Sequence, residues 1–129
     1  MAEHAGDTQH GFGRALVAVY AVFTVAATAR SVYQLIVKAD EAPVAYALSA
    51  VAGVVYGVAT WALATGNRRV ATAAVGFELV GVLAVGVLSL VDAELFPDAT
   101  VWSGFGAGYG YVPLVLPFIG LWWLRRTRP

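Results

Sequence analysis

The chain is predicted to be all-α: a polytopic membrane protein built as an antiparallel bundle of four transmembrane helices. Three observations carry this. Charged residues make up only 12% of the chain and hydrophobic ones 60%, with a mean hydropathy of +0.73, whereas a soluble domain carries about 25% charge. The stretch Val70–Val91, VATAAVGFELVGVLAVGVLSLV, runs 22 residues with one charge, Glu78. As a helix it rises roughly 33 Å, enough to cross a hydrocarbon core of about 30 Å. Finally, the basic residues segregate. Arg14, Arg68, Arg69, Arg125, Arg126 and Arg128 fall on the side of the two termini and the second loop, and only Lys38 falls in a loop on the other.

Taken in order, residues 1–11, MAEHAGDTQHG, read as a polar cytoplasmic tail without periodicity. Ala2-Glu3-His4 at a freed amino terminus has the nitrogen ligands that suit Cu(II) or Ni(II). A solvated tail is the preferred reading, and no metal site is assigned. Signal cleavage is not expected, because the apolar stretch that follows is too long for a signal-peptide core. The first span is placed at about 12–37. Tyr20, Thr24, Thr28, Ser31 and Gln34 recur within it at steps of three and four, a polar stripe along one helical face. Such a stripe should face other helices rather than lipid. Arg30 sits beside it, with either an ion pair or a snorkelling stem expected.

The second span, about 43–65, opens on Pro43, which suits a first helical turn because its missing N–H costs nothing there. Ala45, Ser49, Gly53 and Gly57 follow at steps of four. This small-residue face lets backbones approach closely, and a contact within the bundle is preferred over a dimer face. Gly66 and Asn67 suit a helix C-terminal turn, and so short a loop forces antiparallel neighbours. In the third span, 70–91, Glu78, Gly81, Val85 and Ser89 share a face, with Gly76 and Gly86 close to it. The loop DAELFPDAT, Asp92–Thr100, is acidic. The last span, about 101–124, begins WSGFGAGYGY, alternating glycine with mostly aromatic residues, and has Pro113 and Pro117 in its middle. Tyr111–Leu124 covers only about 21 Å as helix. The glycine-rich half must therefore help cross the membrane, as loose helix or as irregular backbone covered by protein. Trp122-Trp123 followed by Arg125-Arg126 marks an interface belt and a cytoplasmic end. The single domain 1–129 is thus placed in the plasma (inner) membrane with both termini cytoplasmic.

The chemistry classes narrow quickly. There is no cysteine, which removes disulfides, thiolate nucleophiles and Fe–S ligation. The net charge is zero, giving no general field towards nucleic acid. Both histidines lie in the tail, and no span holds paired carboxylates, so no catalytic set, cofactor or enzyme is expected. Asp92, Glu94 and Asp98 lack EF-hand spacing. GFGAGYG is not GxGxxG, because Tyr109 stands at the third glycine. Gly108-Tyr109-Gly110 echoes a potassium filter without the spans one needs.

What remains is an intramembrane polar site: Glu78 with candidate donors Tyr20, Thr24, Thr28 and Gln34 from the first span, Tyr56 from the second, and Arg30 through a water or a long reach. A buried carboxylate needs such partners. Ser49, Gly53 and Gly57 are the helix-packing positions. Arg14 opening the first span, FELVGVLAVG in the third and the basic end RRTRP give a layout that resembles small four-span bacterial membrane families, loosely including the DoxX-like proteins; the resemblance implies the span pattern and transfers no site residue. Small multidrug transporters also have four spans but carry a glutamate in the first, which this chain lacks. The leading functional expectation is a non-catalytic interaction or accessory subunit that self-associates or joins another membrane protein in the lipid bilayer. The alternative is a small proton- or cation-coupled carrier or channel using Glu78.

Overall fold

The computed structural model describes residues 2–37, 43–92, 94, 100 and 102–127, with residues 2–10 and 43 described by backbone alone. It is all-α. Helix α1 spans Ala2–Val37, α2 Pro43–Thr65, α3 Arg68–Val91 and α4 Val112–Arg126, with a 3-10 segment at Ser103–Tyr109 before α4. Three stretches, Gly11–Val37, Val44–Thr65 and Arg68–Val91, are each long and apolar enough to cross a membrane, and the 3-10 segment with α4 forms a pair bent by 98°. With that pair as the broken fourth crossing, the chain is a polytopic four-helix bundle.

The expected tail is the first departure. The α1 helix runs back through residues 2–11, while its membrane-crossing stretch begins at Gly11, next to the expected Phe12. No proline interrupts it, and a helix already nucleated extends by adding one hydrogen bond for each residue fixed. α2 ends where its last turn meets Gly66, whose φ of +72° glycine adopts without a Cβ clash. The Asn67 amide then donates to Ala62 O at 2.9 Å, and its side chain accepts from the Val70 amide at 3.2 Å, capping α3. One residue thus closes one helix and opens the next, which starts α3 at Arg68, two positions before the apolar run.

The second departure is the fourth span. Pro113 does not kink the middle of a helix; it stands at the start of α4, where a missing N–H costs nothing. The break comes just before it. Gly104, Phe105 and Gly106 have φ of +58°, +61° and +85°, and Gly110 and Tyr111 have +64° and +61°. At 15 residues, α4 rises only about 22 Å.

Backbones pack in chain order, α1 on α2 and α2 on α3, with α3 then carrying both α4 and the 3-10 segment. The α1–α2 contact uses the small-residue face: a Cβ at Gly53 would lie 3.0 Å from Thr28 Oγ1, and one at Gly57 3.5 Å from Thr24 Cγ2. That face is consumed inside the chain. One end of the bundle is closed by Phe12, whose ring meets Trp122 at 5.9 Å and Trp123 at 6.5 Å. There Arg68 also donates to Thr127 Oγ1 at 3.0 Å. Arg14, Arg69, Arg125 and Arg126 are exposed at the same end. Lys38, Asp40, Glu41, Asp98 and Arg128, which complete the charge reading, lie outside the described residues.

Candidate functional site

α3 presents one stripe to the interior: Ala71, Ala74, Val75, Glu78, Val82, Val85 and Gly86. Their three- and four-residue steps put Glu78 in the centre of an otherwise apolar line. Its side chain has 0% exposure. It stands ten residues from the start of α3, about 15 Å into a helix of roughly 36 Å. The Tyr20 hydroxyl donates to Glu78 Oε1 at 2.6 Å, at the short end of O–H···O bonds. α1 packs mainly on α2 and α2 on α3, so this bond bridges α1 and α3 across the interior. Glu78 Oε2 has no partner among the described residues.

The other expected donors go elsewhere. Thr24 Oγ1 donates to Tyr20 O at 2.8 Å and lies 3.1 Å from Thr60 Oγ1, while Thr60 donates to Tyr56 O at 2.7 Å. These hydroxyls therefore knit α1 to α2 and do not reach Glu78. Thr28 packs on Gly53. Ser31 and Gln34 are buried, but Gln34 Oε1, like Ser49 Oγ, has no partner among the described residues. Arg30 does not reach Glu78 either. It is ten residues beyond Tyr20, about 15 Å further along α1. Its guanidinium instead donates to Tyr109 Oη at 3.2 Å and lies 6.0 Å from that ring's centre.

Tyr56 is fully buried beside this cluster, its ring 6.1 Å from Tyr20 and 5.6 Å from Phe23. Its hydroxyl accepts from Trp102 Nε1 at 3.0 Å. Trp102 explains the broken span. Its ring is 1% exposed and sits on Gly81, where a Cβ would fall 2.6 Å from Cζ3. Gly81 is ten residues before the end of α3, so the chain comes back about 15 Å along that helix before α4 begins. Phe105 seats on Gly86 in the same way, so closely that no Cβ fits there. The backbone freed by the break is satisfied by side chains, as membrane depth requires. Gly104 N donates to Ser89 Oγ at 2.8 Å, Thr100 N to Ser103 Oγ at 2.8 Å, and the Trp102 and Ser103 amides to Thr100 Oγ1, both at 3.1 Å.

Three parts of this site were not assigned from sequence: Trp102, Tyr109 and Thr60. The readable trace of Trp102 was the pair Gly81 and Gly86 on the Glu78 face, two notches that an aromatic ring fills. α4 completes the enclosure at Gly120, where a Cβ would come within 3.2 Å of Tyr20 Oη. The Tyr20 hydroxyl thus stands where α1, α3 and α4 meet. The arrangement can hold or release one proton at Glu78 and register the change at Tyr20. Among the described residues no three metal-ligating side chains cluster. No family model, curated protein or solved structure matches the chain.

Proposed function

We propose that the protein is a small proton-coupled membrane carrier in which Glu78 is the proton site and the broken fourth crossing is the mobile element. The observation that carries this is the unpaired Oε2 of a carboxyl with 0% exposure. An unsatisfied buried polar atom costs about 1–3 kcal/mol, and of the four buried side-chain atoms without a partner among the described residues the one on Glu78 alone belongs to an acid that can take up a proton. An oxygen left open at the centre of a bundle is a place for a proton. A proton there removes the charge that strengthens the Tyr20 bond, and charge-assisted bonds are roughly twice as strong as neutral ones. Tyr20 Oη lies against Gly120 of α4, so the change is passed to the crossing that is already broken at Gly110 and Tyr111. Carrier sites are commonly built from such discontinuous helices near the midplane.

The proposed setting is a bacterial plasma membrane, with the arginine-bearing end and both termini cytoplasmic. The test is proton movement into vesicles containing the purified protein, driven by an imposed gradient of each of a panel of ions and small solutes. Coupled acidification or alkalinisation that Glu78→Gln removes is the expected result. No proton movement with any solute, or movement that Glu78→Gln leaves intact, overturns the reading.

A non-catalytic accessory subunit is the second reading. It is favoured by the Trp102–Tyr56 and Arg30–Tyr109 bonds, which pin the fourth crossing to the first two helices as a fixed core would be pinned. A stable complex with another membrane protein, unaffected by Glu78→Gln, is its signature.

A further inference from the structure

Away from the polar interior, the outer surfaces of α2 and α3 part to leave a groove of about 590 Å³, within the ~300–1,000 Å³ of small-molecule sites. Its α2 wall is Ala50, Val51, Val54, Val55 and Val58; its α3 wall is Val70, Ala73, Ala74 and Phe77. One charged side chain borders it, Arg69. The wall residues recur at steps of three and four on each helix, so the groove runs along both helices. Its α3 wall runs about 12 Å from Arg69 to Phe77, and its α2 wall reaches Ala50, about 22 Å of helix rise from the end of α2 at Thr65. Its charged mouth lies in the leaflet at the arginine-bearing end. Arg69 stands at the end of the bundle where Arg14, Arg125 and Arg126 are also exposed. Its neighbours are engaged, Arg68 with Thr127 and Arg126 over the Trp122 ring at 5.4 Å. Arg69 makes no contact of that kind with any described residue.

We infer that this groove is a binding site for one anionic phospholipid of the leaflet at the arginine-bearing end, its phosphate on Arg69 and an acyl chain between α2 and α3. Charge selects the occupant. A guanidinium presents a planar fork of donors that fits a phosphate bidentately, and the Ala/Val/Phe walls offer an acyl chain contact and nothing polar. An apolar partner helix would leave the lone cation at the mouth without a counter-charge, which a phosphate supplies. The inference does not depend on proton coupling. It makes α2–α3 a lipid-reading face that adjoins, through Ala74, the stripe on which α3 carries Glu78.

The test is native mass spectrometry of the full chain in detergent, with added phosphatidylglycerol, with phosphatidylcholine of the same acyl chains, or with inorganic phosphate alone. Phosphatidylglycerol should be retained at one per chain. Phosphatidylcholine should be held about tenfold more weakly, and Arg69→Gln should weaken phosphatidylglycerol by about tenfold, the effect of one charge-assisted hydrogen bond. Arg69→Lys should keep most of the retention, because the charge remains. Inorganic phosphate alone should not be held. Ala73→Trp, at an exposed wall position, should fill the groove and abolish retention of the lipid, with the melting curve of the variant showing that it folds. Equal retention of the two lipids, or retention unchanged by Arg69→Gln, overturns the site. So does a groove occupied by a second copy, seen as a dimer that Ala73→Trp dissociates. If Ala73→Trp does not fold, the Arg69→Gln and Arg69→Lys pair decides alone.

Discussion

Gly81→Ala should be destabilising although it places a better helix former in a helix. The added Cβ would lie 2.6 Å from Trp102 Cζ3 and 2.8 Å from Cη2, against an optimal carbon–carbon separation of about 3.5–4.0 Å. The ring would have to retreat by about 1 Å to restore contact. It is backed on the far side by the 3.0 Å bond from Nε1 to Tyr56 Oη, so the retreat would press the indole onto that hydroxyl and distort the bond. Overpacking costs about 1–3 kcal/mol, and the distorted buried bond up to about 1 kcal/mol. The helix propensity gained from glycine to alanine offsets about 1 kcal/mol, so the net loss should be about 1–3 kcal/mol. Gly76 is the internal control. It lies on the same helix, but a Cβ there meets nothing within 4 Å, so Gly76→Ala should stabilise by up to ~1 kcal/mol. Denaturation in mixed micelles, followed by helix content, compares the two. Equal stability of Gly81→Ala and Gly76→Ala would refute the seating of Trp102 on α3, and with it the path of the fourth crossing.

Glu78→Gln keeps an acceptor for Tyr20 and alters only the unpaired end, whereas Glu78→Leu strands the Tyr20 hydroxyl. The Leu variant should be about 1–2 kcal/mol less stable than Gln in detergent, with part of the loss recovered by adding Tyr20→Phe; equal melting curves would count against the buried bond. Tyr111 holds a left-handed φ of +61° with an exposed side chain, so Tyr111→Gly should raise stability by about 1 kcal/mol, and a loss of stability there would mean the turn before α4 is misplaced. Cysteines introduced at Thr65 and Glu94, both exposed and at opposite ends of the bundle, should label from opposite sides of intact cells, Glu94→Cys from outside. Labelling of both positions from both sides would mean dual topology.

Much of the fold can be read directly from the residues, for a physical reason. Hydrocarbon demands long apolar helices, so α2 matches Pro43–Thr65 and α3 starts only two residues before Val70. Periodicity puts Glu78 and the Tyr20, Thr24 and Thr28 stripe on inward faces of their helices, but it does not single out Tyr20 among those donors as the one that meets Glu78. The same periodicity said nothing about residues 100–111. There the path depends on left-handed backbone at Gly104, Phe105 and Gly106, on hydroxyls of Thr100, Ser103 and Ser89 standing in for helical bonds, and on two glycine notches in α3. None of these repeats with a period. For that reason depth along the helices offers Arg30 only a water-bridged or long reach to Glu78, while the partner it has, Tyr109, is delivered by the irregular segment. The span start near Phe12 is legible, since the membrane-crossing stretch begins at Gly11, but the helicity of residues 2–11 is not: they carry no apolar stripe, yet they continue a helix that the apolar part nucleates.

Proton exchange at Glu78 is the central claim, and difference infrared spectroscopy of the reconstituted protein tests it most directly. A pH jump should change the carboxyl band of a single buried acid. That band should shift on transfer into D2O and vanish in Glu78→Gln. A Glu78 band that ignores both the pH jump and D2O would show that the site never exchanges its proton with water, and would contradict the carrier account.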